Sequence, residues 1–216
     1  MIQKILIITG GHIDENFLKS LIKRERYSLI IAADKGLLSA DRLKLPVDYI
    51  LGDFDSVPLD VLSKYEDKSI PIQSFPQKKD KTDTQIAFEM ALEKKPSGID
   101  MVGATGSRMD HTISNIDLLI YAMNQNIDAR ILDANNCIYL RNKSFLIKKE
   151  EQYGDFISLL SFSYQVKGLR LYGFMYPLDG ITLTAGSSLG ISNRLVEDEG
   201  RVEFEEGILA VFETKD

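Results

Sequence analysis

The chain has little of what several protein classes require. Its 216 residues include one cysteine, Cys137, so the fold cannot depend on an internal disulfide, and we interpret this residue as structural. No apolar run approaches the ~18 residues that a membrane-spanning helix needs. The opening residues, MIQKILIITGG, lack the long apolar region and cleavage site of a signal peptide. We therefore expect a cytoplasmic location and no membrane partner.

Excess positive charge is also missing. The chain carries 26 Lys and Arg against 32 Asp and Glu, a formal net charge of −6. Binding to nucleic acid through released counterions needs a basic surface, so we expect no nucleic-acid partner. A composition of 44% hydrophobic and 27% charged residues is typical of an ordinary globular protein.

Several common site motifs are absent as well. The sequence has no GxxxxGK[ST] phosphate loop and no GxGxxG dinucleotide motif. Its two histidines, His12 and His111, accompany no cysteine cluster, so a structural zinc site is not expected. Neither lies in a nucleophile motif such as GxSxG, and we interpret His12 as a surface or capping residue.

What the chain does contain divides into two patterns. Residues 1–133 alternate short apolar runs with amphipathic stretches such as ENFLKSLIKR (15–24) and TDTQIAFEMALEKK (82–95). This alternation predicts an α/β domain with a mostly parallel sheet covered by helices. Residues 134–216 show short strand-like runs separated by turn residues, which predicts a smaller all-β domain, an antiparallel sandwich.

Acidic residues follow several apolar runs of the first part. Asp34 ends SLIIAAD, Asp53 and Asp55 end VDYILGDFD, and Asp110 follows IDMVGATGSRM, while Asp80 and Asp83 lie in KKDKTDTQ. Ligands of open α/β sheets bind at the carboxyl ends of the strands. Each residue also has a simpler explanation: Thr82 or Asp83 as a helix N-cap, Asp34 and Asp110 as helix starts.

The LGDFDS segment is harder to explain as a turn alone. If the backbone stays extended past Gly52, Asp53 and Asp55 point to the same face and repel each other. A bound Mg²⁺ would remove that repulsion, because Mg²⁺ takes a few carboxylates together with phosphate oxygens and water. The glycines of GATGSR would let backbone amides approach a phosphate. Local positive charge comes from Lys78, Lys79, Lys81 and Arg108, although a solvated loop explains the lysines equally well.

Five motifs in order resemble the thiamine pyrophosphokinase family over nearly the whole chain. They are ADKG (33–36), GDFDS (52–56), DKTD (80–83), GSRMDH (106–111) and GISN (190–193). The resemblance implies transfer of diphosphate from ATP to thiamine, with Mg²⁺ as cofactor and ATP as co-substrate. It implies an ATP and Mg²⁺ domain at 1–133, a thiamine-binding and dimerisation domain at 134–216, and a homodimer.

The resemblance also implies roles for individual residues. The metal ligands would be Asp34, Asp53, Asp55 and Asp83, of which Asp53, Asp55 and Asp83 would be catalytic. The ATP-binding residues would be Lys79, Lys81, Gly106 and Arg108, and the thiamine-binding residues Thr82, Asp110, Ser192 and Asn193. Some relatives stack a tryptophan on the substrate. This chain has none, so either Tyr172, Phe174 or Tyr176 would take that place, or the platform would be aliphatic.

Two alternatives stay open from the sequence. DFDSV superficially fits the DxDx[TV] nucleophile loop of haloacid-dehalogenase-like phosphatases, although Gly52 intervenes and two strand–helix units come first. The second alternative is a non-enzymatic regulatory module that binds a nucleotide or a metal. Such a module would bind its ligand without turnover.

Overall fold

The computed structural model describes residues 4–55, 57–66, 70–75 and 80–216. The chain separates into two compact units, residues 1–134 (unit 1) and residues 135–216 (unit 2). Among the described residues, no helix combines the length and the apolar character needed to cross a membrane.

Unit 1 is built on a parallel sheet. Its strands are β1 (Lys4–Ile8), β2 (Leu29–Ala33), β3 (Tyr49–Gly52), β4 (Ile72–Ser74), β5 (Gly98–Val102) and β6 (Asp128–Leu132). They lie in the order β4-β3-β2-β1-β5-β6, and every neighbouring pair is parallel. All residues of β2 and β5 are buried, and β2 is accordingly a continuous apolar run, whereas β5 includes one charged residue, Asp100.

Five helices connect these strands. They are α1 (Glu15–Arg24), α2 (Gly36–Arg42), α3 (Leu59–Glu66), α4 (Asp83–Glu93) and α5 (Met109–Asn124). The bounds of α1 are those of the amphipathic stretch in the sequence, and the Asp14 carboxylate caps this helix by accepting from the amides of Asn16 and Phe17. The chain builds one half of the sheet outward from β1 to β4, then crosses back to β5. The switch between β1 and β5 is where open α/β sheets place a ligand.

A buried ion-pair cluster lies on β1, β5 and β6. The fully buried Asp100 carboxylate accepts from Arg130 at 3.0 and 3.1 Å and from the Tyr27 hydroxyl at 2.7 Å, and it lies 3.0 Å from Lys4 Nζ. Burial alone would raise the pKa of Asp100, but the hydrogen bond and charge of Arg130 and the charge of Lys4 hold it below its usual value. The cluster is therefore ionised at neutral pH.

Unit 2 is all-β apart from a short 3₁₀ helix, Lys149–Glu151. Its strands are β7 (Asn136–Arg141), β8 (Phe145–Lys148), β9 (Phe156–Ser161), β10 (Gln165–Tyr172), β11 (Leu178–Thr184), β12 (Glu199–Glu203) and β13 (Leu209–Thr214). One antiparallel set has the order β7-β13-β9, and the other has the order β11-β10-β12-β8. The predicted fold class, a parallel α/β unit followed by an antiparallel β unit, is confirmed.

Candidate active site

Unit 1 contains a cleft of about 990 Å³ at the carboxyl ends of its strands. It is lined by the loops after β1, β2, β3 and β5, by residues 80–82 before α4, and by the N-terminal parts of α4 and α5. It opens at the switch between β1 and β5, so the cleft lies where the strand order predicts a ligand site.

Three of the predicted metal ligands line this cleft: Asp34, Asp53 and Asp83. Asp34 has the left-handed backbone φ of 50°, and its amide donates to Leu51 O on β3 at 2.9 Å. Partial burial raises the pKa of Asp34, and the negative charges of Asp53 and Asp83 raise it further. Asp53 and Asp83 are therefore each close enough to Asp34 to disfavour its ionised form.

Gly52 makes the approach of β3 to Asp34 possible. Its φ is 154°, and a Cβ atom at this position would lie 3.2 Å from both the N and the Cα atoms of Asp34. A larger residue would have to push Asp34 away from its place at the cleft. Gly52, which ends the apolar run of β3, therefore leaves room for the backbone of Asp34.

Asp55 does not lie on the same face as Asp53, as it would if the backbone were extended. Phe54 has a left-handed φ of 58°, and Val57 N donates to Phe54 O at 2.9 Å, so the chain turns directly after Asp53. Asp55 is exposed and is not among the residues that line the cleft, while its amide donates to Asp53 Oδ1 at 3.2 Å. The extended geometry expected for this pair is not formed, and a metal-ligand role for Asp55 stays a prediction.

The acidic group fits a hard divalent cation. Asp34 Oδ1 is buried and has no hydrogen-bond partner among the described residues, a state that costs free energy unless a ligand satisfies the oxygen. Within the same residues, no group of three or more His, Cys, Asp or Glu side chains is arranged to hold a metal ion. Mg²⁺ does not need one, because it is usually held by one or two carboxylates and completes its octahedron with phosphate oxygens and water.

Two predicted cationic residues, Lys81 and Arg108, also line the cleft. Lys81 Nζ lies 2.7 Å from Glu89 on α4, and Arg108 Nη2 lies 2.5 Å from the carboxylate of Asp110. Both pairs are solvent-exposed, so a phosphate can replace the carboxylate partner at little cost. Gly106, the other predicted ATP-binding residue described here, lines the same cleft, whereas Lys78 and Lys79 fall outside the described residues.

The predicted thiamine-binding residues of unit 1 have structural partners. The Thr82 hydroxyl accepts from Gln85 N at 3.1 Å and caps α4, as the simpler explanation proposed, and Thr82 also lines the cleft. Asp110 is exposed in the first turn of α5, is paired with Arg108 and is not among the cleft-lining residues. The hydrogen bond and charge of Arg108 lower the pKa of Asp110.

In unit 2, Asn193 is buried, and its amide holds the backbone of another segment. Asn193 Oδ1 accepts from Tyr176 N at 3.0 Å and from Arg194 N at 2.9 Å, and its Nδ2 donates to Tyr176 O at 2.8 Å. Ser192 is exposed with a φ of 56°, and its amide donates to Ser158 Oγ at 3.0 Å. Asn193 thus fixes the backbone at Tyr176, and direct thiamine contacts from Ser192 and Asn193 stay predictions.

The three candidate aromatic residues of unit 2 differ in what their rings can do. Phe174 is buried, so its ring cannot receive a ligand from solvent. The guanidinium of Arg201 covers the Tyr172 ring at 4.5 Å from its centroid. Tyr176 is 60% exposed on a backbone that Asn193 clamps on both sides, which makes it the best placed of the three to contact a ligand.

Sequence reasoning missed some of the cleft residues. His12, interpreted as a surface or capping residue, lines the cleft, and the N-cap of α1 is Asp14. Asn115 also lines the cleft, although it lies within the apolar stretch of α5. The sequence alone did not mark Asn115: its three-residue spacing from Thr112 puts both polar side chains on one face of α5, but that this face is buried is known only from the structure.

Family models match both units. The Thiamin pyrophosphokinase, catalytic domain, matches residues 19–131, and the Thiamin pyrophosphokinase, vitamin B1 binding domain, matches residues 144–209. The thiamine pyrophosphokinase of Bacillus subtilis (strain 168) is 34% identical over 214 residues, which cover 98% of this chain and 99% of that protein.

Solved structures give the same result. A thiamine pyrophosphokinase from Bacillus subtilis superposes with a TM-score of 0.89 at 32% identity, covering 99% of this chain and 100% of the other. A thiamin pyrophosphokinase from Geobacillus thermodenitrificans has a TM-score of 0.85 at 27% identity, covering 99% and 98% of the two chains. These matches support neither the phosphatase nor the non-enzymatic alternative.

Proposed function

The chain belongs to the thiamine pyrophosphokinase family and is an enzyme of that activity, and we propose that the cleft of unit 1 binds ATP with Mg²⁺. The observation that carries this proposal is that Asp34, Asp53 and Asp83 line one cleft, where the charges of Asp53 and Asp83 act on Asp34 and the buried Asp34 Oδ1 has no hydrogen-bond partner among the described residues. A divalent cation would satisfy the buried oxygen and neutralise the group.

The reaction joins the hydroxyl oxygen of thiamine to the β-phosphorus of ATP. The bond between that phosphorus and the oxygen bridging to the α-phosphate breaks, so AMP leaves with that oxygen, and the proton of the thiamine hydroxyl is released to water. Bound Mg²⁺ would supply neutralisation of phosphate charge as it develops. The protein's own part is to hold the thiamine hydroxyl oxygen opposite the bond that breaks at the β-phosphorus.

Each side of the cleft has a task in this scheme. Asp53 and Asp83 would hold the metal, with Asp34 beside them, and the exposed cations of Lys81 and Arg108 would contact phosphate oxygens. Because Arg108 is paired with Asp110 without ligand, its transfer to a phosphate would free the Asp110 carboxylate for thiamine.

The remaining features stay predictions of the sequence. We propose that unit 2 supplies thiamine contacts from Ser192 and from Tyr176, whose backbone Asn193 holds. We likewise expect a homodimer and a cytoplasmic location.

Product identity tests the proposal. Purified protein incubated with ATP, Mg²⁺ and thiamine should yield AMP and thiamine diphosphate in equal amounts, resolved by chromatography. Omitting thiamine or adding EDTA should abolish both products. Formation of ADP, or release of phosphate without thiamine, would contradict ATP as the diphosphate donor in this cleft.

A further inference from the structure

The loop of residues 103–108, the β5–α5 loop, is held by three of its carbonyl groups. Gly103 O accepts from Gly11 N at 2.8 Å and from Thr9 Oγ1 at 2.5 Å, Ala104 O accepts from Asn115 Nδ2 at 2.8 Å, and Thr105 O accepts from His12 N at 3.1 Å. Three consecutive peptide planes are therefore fixed from outside the loop.

Fixing the carbonyls also orients the amides. In a trans peptide the N–H of the following residue points away from the carbonyl oxygen of the same plane. The amides of Ala104, Thr105 and Gly106 donate to no other described residue, and all three residues line the cleft. Successive free N–H groups in a concave site form an anion-binding surface.

Asn115 is the side-chain donor to Ala104 O, while Gly103 O and Thr105 O are held by Thr9 and by backbone amides of the loop after β1. It is 6% exposed, so its bond to Ala104 O is shielded from water. That bond sets the peptide plane whose N–H belongs to Thr105. On the other side of the loop, Thr105 Oγ1 donates to Asp133 Oδ2 at 2.8 Å, directly after β6.

We propose that Asn115 is a positioning residue: it holds the β5–α5 loop so that the loop amides point at the phosphates of the nucleotide. The hydrogen bond between Thr105 and Asp133 supports the same loop from its other side. This inference rests on the proposed function, because it takes ATP as the ligand of the cleft. Asn115 does not touch the reacting atoms in this account; it acts through the Ala104–Thr105 peptide.

Replacing Asn115 with aspartate tests the role with almost no change in shape. The substitution puts a carboxylate oxygen opposite the Ala104 carbonyl and removes the donor. We expect the KM for ATP to rise about tenfold, the value of one lost shielded hydrogen bond. The KM for thiamine and kcat should each stay within about twofold of the wild-type values, because the loop contacts the nucleotide and not thiamine. Steady-state kinetics with each substrate varied in turn measures this split.

Matched variants separate positioning from a loss of folding. Asn124→Asp makes the same chemical change at an exposed position of the same helix and should leave both KM values unchanged. Thr105→Val removes the hydroxyl that bonds to Asp133 and should reproduce the increase in the KM for ATP, whereas Thr105→Ser keeps the hydroxyl and should restore it. This pair decides the question if Asn115→Asp does not fold.

The possible results are distinct. An unchanged KM for ATP in folded Asn115→Asp, or in Thr105→Val, would overturn the inference while the wild-type protein still makes AMP and thiamine diphosphate. Equal increases in both KM values would also overturn it, because they indicate a general distortion. A wild-type protein with no saturable dependence on ATP would instead refute the proposed function, and this inference with it.

Discussion

Asp53→Asn is expected to lower kcat/KM for diphosphate transfer about 10²- to 10³-fold, the effect typical of removing one group that stabilises charge in a preorganised site. Asp53 lines the cleft beside Asp34, and asparagine keeps its shape while removing the charge that a divalent cation needs. Asp83→Asn should behave similarly. The measurement is steady-state kinetics at saturating Mg²⁺.

The stability of these variants separates a functional from a structural role. The charge of Asp53 raises the pKa of Asp34, so the ligand-free protein contains a repulsion that Asp53→Asn relieves. We expect a melting temperature equal to or above that of the wild type. Asp60→Asn, at an exposed position in the first turn of α3, makes the same charge change away from the cleft and should keep wild-type activity. Near-normal rates in both Asp53→Asn and Asp83→Asn would mean that the metal is bound elsewhere.

Asp100→Ala is expected to reduce the free energy of unfolding by about 2–4 kcal/mol. The substitution leaves Arg130 and Lys4 without their fully buried partner. We expect a smaller loss of unfolding free energy than for a completely buried ion pair, because 27% of the Arg130 side chain and 21% of the Lys4 side chain are exposed. Glu25 also stays close to both cations. Urea denaturation followed by circular dichroism gives the value. Glu151→Ala, which breaks an exposed pair with Lys148, is the control and should leave the free energy of unfolding close to that of the wild type.

The pH dependence identifies the source of the Asp100 effect. A carboxylate whose pKa is lowered by folding stabilises the protein fully above its unfolded pKa of about 3.9, and this contribution is lost as the pH falls through the folded pKa. The difference between wild type and the isosteric Asp100→Asn should therefore be constant from pH 7 to 5 and shrink below about pH 4. A difference that stays constant at pH 3.5 would show that packing, not charge, is responsible.

The parts of the fold that follow a periodic pattern could be predicted from the sequence. The bounds of α1 follow from its amphipathic spacing and its Asp14 cap, and β2 is a buried apolar run. The break at Gly52 was visible, but the left-handed Phe54 after it was not, because nothing in a phenylalanine codes for positive φ. That one dihedral angle is why Asp55 does not line the cleft with Asp53.

Side-chain roles that depend on partners distant in sequence were beyond reach. Asn115 bonds to Ala104 O, eleven residues earlier, and Asn193 bonds to the backbone of Tyr176, seventeen residues earlier. Neither pairing has a sequence signature of its own. The acidic residues at the strand ends were identified, because the sheet itself brings Asp34 and Asp53 to one edge.

Calorimetric titration with α,β-methylene-ATP tests the central claim most directly, since the bond broken in diphosphate transfer is blocked in this analogue. We predict saturable binding to the wild-type protein that weakens at least about tenfold when EDTA replaces Mg²⁺, and in Mg²⁺ a comparable weakening in Asp53→Asn and Asp83→Asn. Equal affinity with and without Mg²⁺, or an unchanged affinity in both variants, would contradict a metal-assisted nucleotide site at Asp34, Asp53 and Asp83.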